Sequence, residues 1–369
     1  MVSIARRNLF QERTRLLISV GGVAFSVMLI LILAGLYGGW KVRVTAYIDR
    51  VQADLWVAQD GASDMFHSGS FLPAGIEGRL RRVRGVRAVY RYVGRQVTFD
   101  LNDREANLFL VGFDPDTNVS GPVSMVAGKD RPGPGEIIVD RVFARNKGLV
   151  IGDVLEISET PLRVVGISDG GNMVIYQFAF VDLQEAERLL QMDGFANFFL
   201  VQVERLDALD DIKARIGRRV PGIEVFARPA FKDNNARIVT ETFLPIIAVL
   251  TLIALAVGAA VIGLTIYTAT VEKSREYGVL KAIGASNTTL YRIVLQQAVS
   301  AGALGYLGGG AVSLLLARVI QERVPAFMVS ITGALLAWML LAALLMSAVA
   351  AIVPAQRIAR IDPAEAFRA

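Results

Sequence analysis

The sequence predicts a membrane protein with four transmembrane helices and a large α+β extracytoplasmic domain inserted between helices 1 and 2. First, 53% of the 369 residues are hydrophobic, only 20% are charged, and the mean hydropathy is +0.47, whereas soluble domains are typically about 25% charged. Second, four apolar runs are long enough to cross a bilayer. Third, a long segment of mixed composition separates the first run from the second.

The four predicted spans cover residues 16–40, 243–271, 293–317 and 331–353. A hydrocarbon core about 30 Å thick requires roughly 20 helical residues, and each run meets that length. None contains Asp, Glu, Lys or Arg, which argues against a proton relay or an ion site within the membrane. The first run exceeds the apolar core of about 7–15 residues found in signal peptides, so we expect a retained anchor.

The distribution of Lys and Arg predicts the orientation, because short basic flanks stay cytoplasmic. Three of the segments outside the spans are rich in Lys and Arg. They are the segment before span one, with Arg6, Arg7, Arg13 and Arg15; the connection between spans two and three, with Lys273, Arg275, Lys281 and Arg292; and the segment after span four, with Arg357, Arg360 and Arg368. The connection between spans three and four has only Arg318 and Arg323. We therefore expect both termini in the cytoplasm of a bacterium, a multi-pass protein of the inner (plasma) membrane, contact with lipid, and no nucleic-acid partner.

Segment 41–241 is predicted to form the outer α+β domain. Short β-branched or aromatic runs bounded by Gly, Pro and Asp, such as "ADLWVAQ", "VRAVYRYV", "QVTFDL" and "NLFLVGF", indicate strands. The basic helical stretches "GIEGRLRRV" and "DDIKARIGRRV" each precede a Gly-containing turn and a strand. This internal similarity predicts two βαβ-like lobes with a β-rich insert between them. Asp182 and Glu185 fit a capping box.

No catalytic, metal or cofactor site is predicted. The single histidine, His67, has no partner ligands nearby in sequence, and zinc requires three or four. Asp100, Asp103 and Glu105 are interpreted as a solvated hairpin turn, with a cation or acid–base site as the less favoured alternative. The sequence has no G-x-x-x-x-G-K-[S/T], so we expect no ATP bound through a P-loop.

The segment 272–286 is predicted to be a short cytoplasmic helix with Val279, Leu280 and Ile283 along an apolar edge. Gly284 would end it, and Ser286 would cap the third span. Two interpretations remain open: a basic loop that only fixes topology, or a docking element, which the helix–Gly–cap order favours.

Residues 1–15 are predicted to form an interfacial helix. The cytoplasmic tail 354–369 starts at Pro354, continues through Arg357 and turns at Asp362-Pro363. In the third span a series of small residues allows close helix packing; its members are Gly302, Gly305, Gly308, Gly309 and Gly310.

The motif "SREYGVLKAIGAS" resembles the signature of FtsX-like permeases, the membrane subunits of MacB-type (type VII) ABC transporters. The matching residues are Glu276, Gly278, Lys281, Ala282, Gly284, Ala285 and Ser286, and Tyr277 stands where Ile is commoner. The N-terminal arm and the ending "VPAQRIARIDPAEAFR" are similar to those of the family. "DLWVAQDG" and residues 133–153 resemble outer domains of the MacB and DevC branches.

The resemblance implies a separate ABC ATPase subunit, in two copies, that holds ATP and Mg, and a second permease copy or a paralogue. The implied ATPase-coupling residues are Glu272, Arg275, Glu276, Tyr277, Gly278, Lys281, Gly284 and Ser286. It implies export or extraction of a substrate on the outer side by mechanotransmission, with a membrane-fusion adaptor as a further partner. A regulator that controls an outer-side partner without transport is the alternative, and a membrane-anchored sensor or adaptor without an ATPase is the third interpretation.

Overall fold

The computed structural model describes residues 13–66, 69–101, 103–170, 177–324 and 327–359. The chain divides into two compact units. The membrane unit comprises the described parts of 1–38, 243–324 and 328–369, and the outer unit comprises 39–242 with a short stretch near residue 327. Each unit has its own hydrophobic core.

In chain order the elements are α1 Arg13–Arg50, β1 Leu55–Gln59, β2 Leu72–Pro73, α2 Ile76–Arg81, β3 Val86–Asp100, β4 Glu105–Phe113, β5 Ser124–Gly128, β6 Glu136–Asp140, α3 Arg141–Lys147, β7 Val154–Ile157, β8 Thr160–Asp169, β9 Phe178–Asp182, α4 Leu183–Leu189, β10 Phe195–Ala196, β11 Phe198–Val203, α5 Leu209–Arg219, β12 Ile223–Ala227, α6 Arg228–Glu272, α7 Ser274–Ala282, α8 Asn287–Arg323, α9 Gly333–Ala350 and α10 Ile352–Ala359.

Four helical segments in the described ranges are long and apolar enough to cross a membrane: α1, α6, α8, and α9 together with α10. The long mixed segment lies between the first and second of them, so the predicted fold class is confirmed. Helices α1 and α6, with 38 and 45 residues, continue well beyond the apolar runs 16–40 and 243–271. Each contributes residues to both units, because polar helix-forming residues extend the same helix past the apolar part.

Glycines of α8 lie where other helices of the membrane unit come closest. A Cβ added to Gly302 would lie 2.0 Å from Oγ of Ser347 in α9. A Cβ on Gly305 would lie 2.4 Å from Cβ of Val23, and one on Gly309 would lie 2.4 Å from the carbonyl oxygen of Ala24, both in α1. In contrast, a Cβ on Gly310 would meet nothing within 4 Å. The structure thus places three of the predicted packing glycines at helix–helix contacts.

The outer unit is built on a mixed sheet of ten strands in the order β12-β1-β11-β3-β4-β9-β6-β8-β5, with β7 paired to β8. Strands β1, β3, β11 and β12 with helices α2 and α5 form a first lobe, in which β11 lies antiparallel between β1 and β3. This is a split βαβ arrangement. The two predicted βαβ-like halves are therefore the two halves of this first lobe, β1-α2-β3 and β11-α5-β12.

The segments "VRAVYRYV" and "QVTFDL", predicted as two strands, form the single strand β3. Residues 86–92 pair with β11, and residues 93–100 pair with β4. Gly94 does not break the strand, because its N–H donates to the side-chain oxygen of Asn197 at 2.8 Å while the residue remains in the ladder with Val111. The prediction also missed β11, a buried run without polar alternation.

The second lobe contains β4 to β9 with α3 and α4, and its core lies between these elements. Asp182 caps α4 by accepting a hydrogen bond from the N–H of Gln184 at 2.9 Å. Glu185 makes no reciprocal bond in the described structure; it accepts instead from the N–H of Gly135 at 3.1 Å and pairs with Arg188. The predicted cap is correct, and the predicted box is wrong because a tertiary donor takes the glutamate.

Asp140 caps α3 and is only 1% exposed. Its Oδ1 accepts from the N–H of Val142 at 2.7 Å, whereas Oδ2 has no partner in the described part of the chain. Burial, followed by the charge of Asp169, raises the pKa of Asp140 to about 6 against the lowering effects of the Val142 N–H and Arg43. This carboxyl therefore takes up a proton more readily in the folded protein than in the unfolded chain.

Candidate functional site

The segment between α6 and α8 was the strongest functional candidate in the sequence, and the structure describes it completely. Helix α6 ends at Glu272, and α7 begins two residues later. The N–H of Lys273 donates to the carbonyl of Ala269, and the N–H of Tyr277 donates to the carbonyl of Lys273, both at 3.1 Å. These two hydrogen bonds continue the helical pattern from the end of α6 into α7.

The C-terminal end of α7 is a Schellman motif followed at once by a capped helix. Gly284 adopts φ +96°, a conformation that favours glycine. The N–H of Gly284 donates to the carbonyl of Lys281, and the N–H of Ala285 donates to the carbonyl of Leu280. Ser286 then accepts from the N–H of Thr289 at 3.3 Å, and α8 starts at Asn287. The predicted stop and cap both occur where expected.

The three residues of the predicted apolar edge of α7 differ in their contacts within the protein. Val279 is 39% exposed and Ile283 is 76% exposed, whereas Leu280 packs on the core of the membrane unit. The residue that anchors the helix is Tyr277, which is 3% exposed and belongs to the same core as Leu290 and Ile358. Periodicity identified an amphipathic helix, but the face that packs is determined by neighbours far away in sequence.

Side chains at both ends of the segment 272–286 connect it to other helices. Arg15 of α1 donates a hydrogen bond to Glu272 and forms an ion pair with it. Nζ of Lys281 donates to the carbonyl oxygen of Ala359, the last residue of α10, at 2.8 Å. The segment is thereby attached to α1 at its start and to α10 near its end.

Helix α10 includes the described start of the predicted tail. Pro354 lies buried in the first turn of α10, where a proline lacks no needed N–H. Ile358 is fully buried, and Arg357 is exposed. The tail residues Asp362 and Pro363, the helix predicted over 1–15 up to residue 12, and His67 lie outside the described residues.

Of the remaining predicted coupling residues, two are exposed and one is buried. Arg275 and Glu276 are exposed, and Gly278 is buried beside Tyr277. With Val279 and Ile283 they give α7 a surface that combines opposite charges with apolar side chains. Apolar side chains surrounded by polar ones are also the usual composition of protein–protein interfaces.

The parts of α1 and α6 that belong to the outer unit pack on its sheet through aromatic rings. Tyr47 of α1 stacks on Phe178 with ring centroids 4.7 Å apart, and Phe231 of α6 stacks on Trp56 at 4.4 Å. All four rings are essentially buried. Sequence reasoning missed these contacts, and the only signal available was the aromatic content of the segments that follow span one and precede span two.

Two polar contacts accompany the rings. Lys232 of α6 forms an ion pair with Asp49 of α1. The buried Asn235 of α6 accepts from the N–H of Met65 at 3.0 Å. Both helices are therefore fixed to the outer unit by side chains that lie outside the apolar runs.

The acidic residues weighed as a cation site form a hairpin turn, as predicted. Asp100 ends β3, Glu105 begins β4, and Asp103 has φ +58° in the tight turn between them. Backbone hydrogen bonds between Leu101 and Arg104 close the turn. In the ranges that the structure describes, no group of three or more His, Cys, Asp or Glu side chains is arranged to hold a metal ion.

Comparison with known families agrees with these features. Residues 248–363 match the FtsX-like permease C-terminal region, and residues 16–219, more than half of the chain, match the MacB-like periplasmic core domain. The chain therefore belongs to the family of permeases with a MacB-like periplasmic core. It is a permease subunit of the FtsX-like and MacB-like type of ABC transporter, as the motif in 274–286 had indicated.

Related proteins match this chain over all or part of its length. An uncharacterized ABC transporter permease of Mycobacterium tuberculosis (strain ATCC 25618 / H37Rv) is 24% identical over 100% of this chain and 99% of the relative. The lipoprotein-releasing system transmembrane protein LolC of Xylella fastidiosa (strain Temecula1 / ATCC 700964) is 24% identical over 64% of this chain and 66% of the relative.

Solved structures also show similarity. The extracellular domain of the noncanonic ABC-type transporter YknZ from Gram-positive bacteria covers 47% of this chain and 98% of that one, with TM-score 0.36 and 13% identity. The periplasmic region of MacB from Actinobacillus actinomycetemcomitans covers 50% and 92%, with TM-score 0.37 and 10% identity.

Proposed function

We propose that this permease couples ATP hydrolysis by a separate ATPase subunit to movement of its outer unit, and so drives export or extraction of a substrate from the outer side of the membrane. The observation that carries the proposal is helix α6. It is continuous from Arg228, beside the aromatic contacts of the outer unit, to Glu272, beside the predicted docking helix α7. Pro245 lies inside this helix, where it removes one backbone N–H donor without ending the helix.

The input end is the exposed face of α7. Arg275, Glu276, Val279 and Ile283 would contact a groove of the ATPase subunit, while Tyr277 keeps the helix attached to the membrane unit. Because Arg15 pairs with Glu272 at the end of α6 and Lys281 of α7 bonds to Ala359 of α10, a displacement of the segment 272–286 would be passed to α1 and α10 rather than absorbed in a loop. The chain would work with two ATPase copies and a second permease copy, with both termini in the cytoplasm.

Mechanotransmission, rather than passage through a pore, is supported by the composition of the spans. The runs 16–40, 243–271, 293–317 and 331–353 contain no charged residue, and glycines of α8 allow close packing against α1 and α9. Apolar, closely packed helices transmit displacement without providing a polar path.

The test begins with the ATPase subunit that co-purifies with the full chain from native membranes. Glu276→Ala should weaken its binding, and Gly284→Val should misplace α7, because a β-branched residue is strained at φ +96°. Both variants should lose permease-dependent ATP hydrolysis while the outer unit keeps its protease resistance. Glu322→Ala, an exposed glutamate at the far end of α8, is the matched control.

Each outcome separates the interpretations. Unchanged ATP hydrolysis in both α7 variants would refute the assignment of the docking helix. Absence of any co-purifying ATPase would favour a sensor or adaptor. ATP hydrolysis that depends on α7 but moves no substrate, and instead activates an outer-side partner, would favour the regulatory alternative.

A further inference from the structure

The first lobe of the outer unit has a surface crowded with unpaired arginines. The segment 76–91, which includes α2 and the start of β3, contains six arginines and one glutamate, and α5 adds one lysine and three arginines against two aspartates. The predicted outer segment 41–241 as a whole has 26 basic and 28 acidic residues. The positive charge is therefore concentrated locally in a domain whose other parts are acidic.

Helices α2 and α5, which carry most of these residues, cover one face of the sheet. They pack on the same core, with Leu80 from one and Ile212 from the other. On β3, Arg91 lies on this face, because it is 3.6 Å from Glu77 of α2, and the exposed Arg87 lies where the pairing of β3 with β11 shifts its register. A Cβ placed on Gly85 would be 3.5 Å from the guanidinium of Arg215, so the turn before β3 lies against α5.

Two of the arginines in 76–91 have acidic partners. Arg81 pairs with Glu77 at 2.7 Å, and Arg91 pairs with Glu187. The others make no ion pair within the described part of the chain; we call them the arginine surface, and they are Arg79, Arg82, Arg84, Arg87, Lys213, Arg215, Arg218 and Arg219. Nε of Arg215 is buried and lacks a hydrogen-bond partner among the described residues.

Helix stability accounts for only part of this surface. Arg79 and Arg218–Arg219 lie in the last turns of α2 and α5, where cations are favourable. Arg84 and Arg87 lie in the turn and on the strand, and Arg215 lies in the middle of α5, so the helix dipole gives no reason for them. Like charges brought together without counterions oppose folding, and an external anion would remove that repulsion.

We propose that the arginine surface binds a phosphate-bearing polyanion on the outer side of the membrane. Arginine outnumbers lysine seven to one on this surface, and the planar guanidinium matches the oxygens of phosphate with two parallel hydrogen bonds. No large apolar side chain in 76–91 or 209–219 is exposed, whereas protein–protein contacts are usually centred on an apolar or aromatic anchor. The chemistry therefore favours a phosphorylated ligand over an acidic protein.

The phosphate has two possible sources, a soluble polymer and the headgroups of a lipid layer, and the assay distinguishes them. The full chain is placed in phosphatidylcholine nanodiscs. Binding is measured with fluorescent inorganic polyphosphate and, separately, with phosphatidylglycerol vesicles, at low and at physiological salt. Polyglutamate of equal charge represents an acidic protein. We expect tight, salt-sensitive binding of one phosphate probe and much weaker binding of polyglutamate.

The triple variant Arg84→Gln, Arg87→Gln and Arg215→Gln should weaken phosphate binding about tenfold or more. The matched control is a second triple variant, Arg95→Gln, Arg104→Gln and Arg145→Gln. These three arginines are also exposed and make no ion pair in the described structure, and their removal changes the charge of the domain equally. A conservative triple variant, Arg84→Lys, Arg87→Lys and Arg215→Lys, keeps the charge but loses the guanidinium fork. It should bind the phosphate probe with an affinity between those of the wild type and the glutamine triple.

Folding of each variant is checked by its unfolding midpoint. Arg84 and Arg87 are exposed and Arg215 is half-buried, and the loss of their mutual repulsion should leave the midpoint unchanged or raise it. Equal loss in both glutamine triples, polyglutamate binding as strong as that of phosphate, or no binding at physiological salt would overturn the proposal. The proposal does not depend on the docking of α7, so a failed ATPase test and a failed phosphate test are independent results.

Discussion

Replacing Gly305 with alanine should push α8 away from α1. The added Cβ would lie 2.4 Å from Cβ of Val23, 2.5 Å from its Cγ1 and 3.1 Å from the carbonyl oxygen of Val20. Carbon atoms in contact prefer about 3.5–4.0 Å, so the two helices would have to separate by about 1 Å. Because Cβ of Val23 is attached directly to the backbone, a rotamer change cannot relieve the clash.

The cost of such overpacking is typically about 1–3 kcal/mol. Alanine also has a higher helix propensity than glycine, by about 1 kcal/mol in water, which acts in the opposite direction. Gly310→Ala separates the two effects, since Gly310 is buried in the same helix but a Cβ there meets nothing within 4 Å. We therefore expect Gly305→Ala to be less stable than Gly310→Ala by about 1–3 kcal/mol.

The assay is reversible unfolding of the full chain in mixed detergent micelles, with the denaturing detergent increased until half of the helical signal is lost. Gly305→Ala should unfold at a lower fraction of denaturing detergent than the wild type, and Gly310→Ala should not. If the two variants have the same midpoint, the close approach of α8 and α1 does not contribute to stability as the distances imply.

Two further predictions concern the outer unit. Because the pKa of Asp140 is raised to about 6 from an unfolded value near 3.9, the folded state holds more protons in this window. Stability should therefore fall as pH rises from about 4 to about 6, by about 3 kcal/mol; Asp140→Asn should lose this dependence, and an unchanged pH profile of its thermal unfolding would contradict the assignment. Phe231→Ala removes a fully buried ring stacked on Trp56 and should destabilise the outer unit by about 3–5 kcal/mol, seen as faster proteolysis, with Phe231→Leu as the milder control; equal proteolysis of all three proteins would argue against the aromatic contact.

Local sequence was sufficient where local physics decides the structure. Four apolar runs predicted the membrane helices, since only a helix satisfies its backbone polar groups within one segment in lipid. Gly284 and Ser286 predicted the end of α7 and the start of α8, because a left-handed turn and an N-cap involve only neighbouring residues. The family resemblance came from the same segment, and the family comparison confirmed it.

The errors have a common cause. Strand β3 was divided at Gly94, although Asn197 holds that glycine in the ladder. The capping box failed because Gly135 donates to Glu185. In α7 the buried Tyr277, which shares a core with Leu290 and Ile358, was not part of the predicted apolar edge. In each case the deciding partner is distant in sequence.

The sequence by itself determined the class of protein, the number of its apolar helices, and the end of α7 with the start of α8, because hydropathy, charge and capping act over a few residues. Only the tertiary structure decided that Arg15 pairs with Glu272, 257 positions away, that Tyr47 and Phe231 fix two long helices to the outer sheet, and that Arg215 joins the arginines of 76–91. These contacts depend on which surfaces the chain brings together, and pairing of that kind leaves no periodic or local pattern in the sequence.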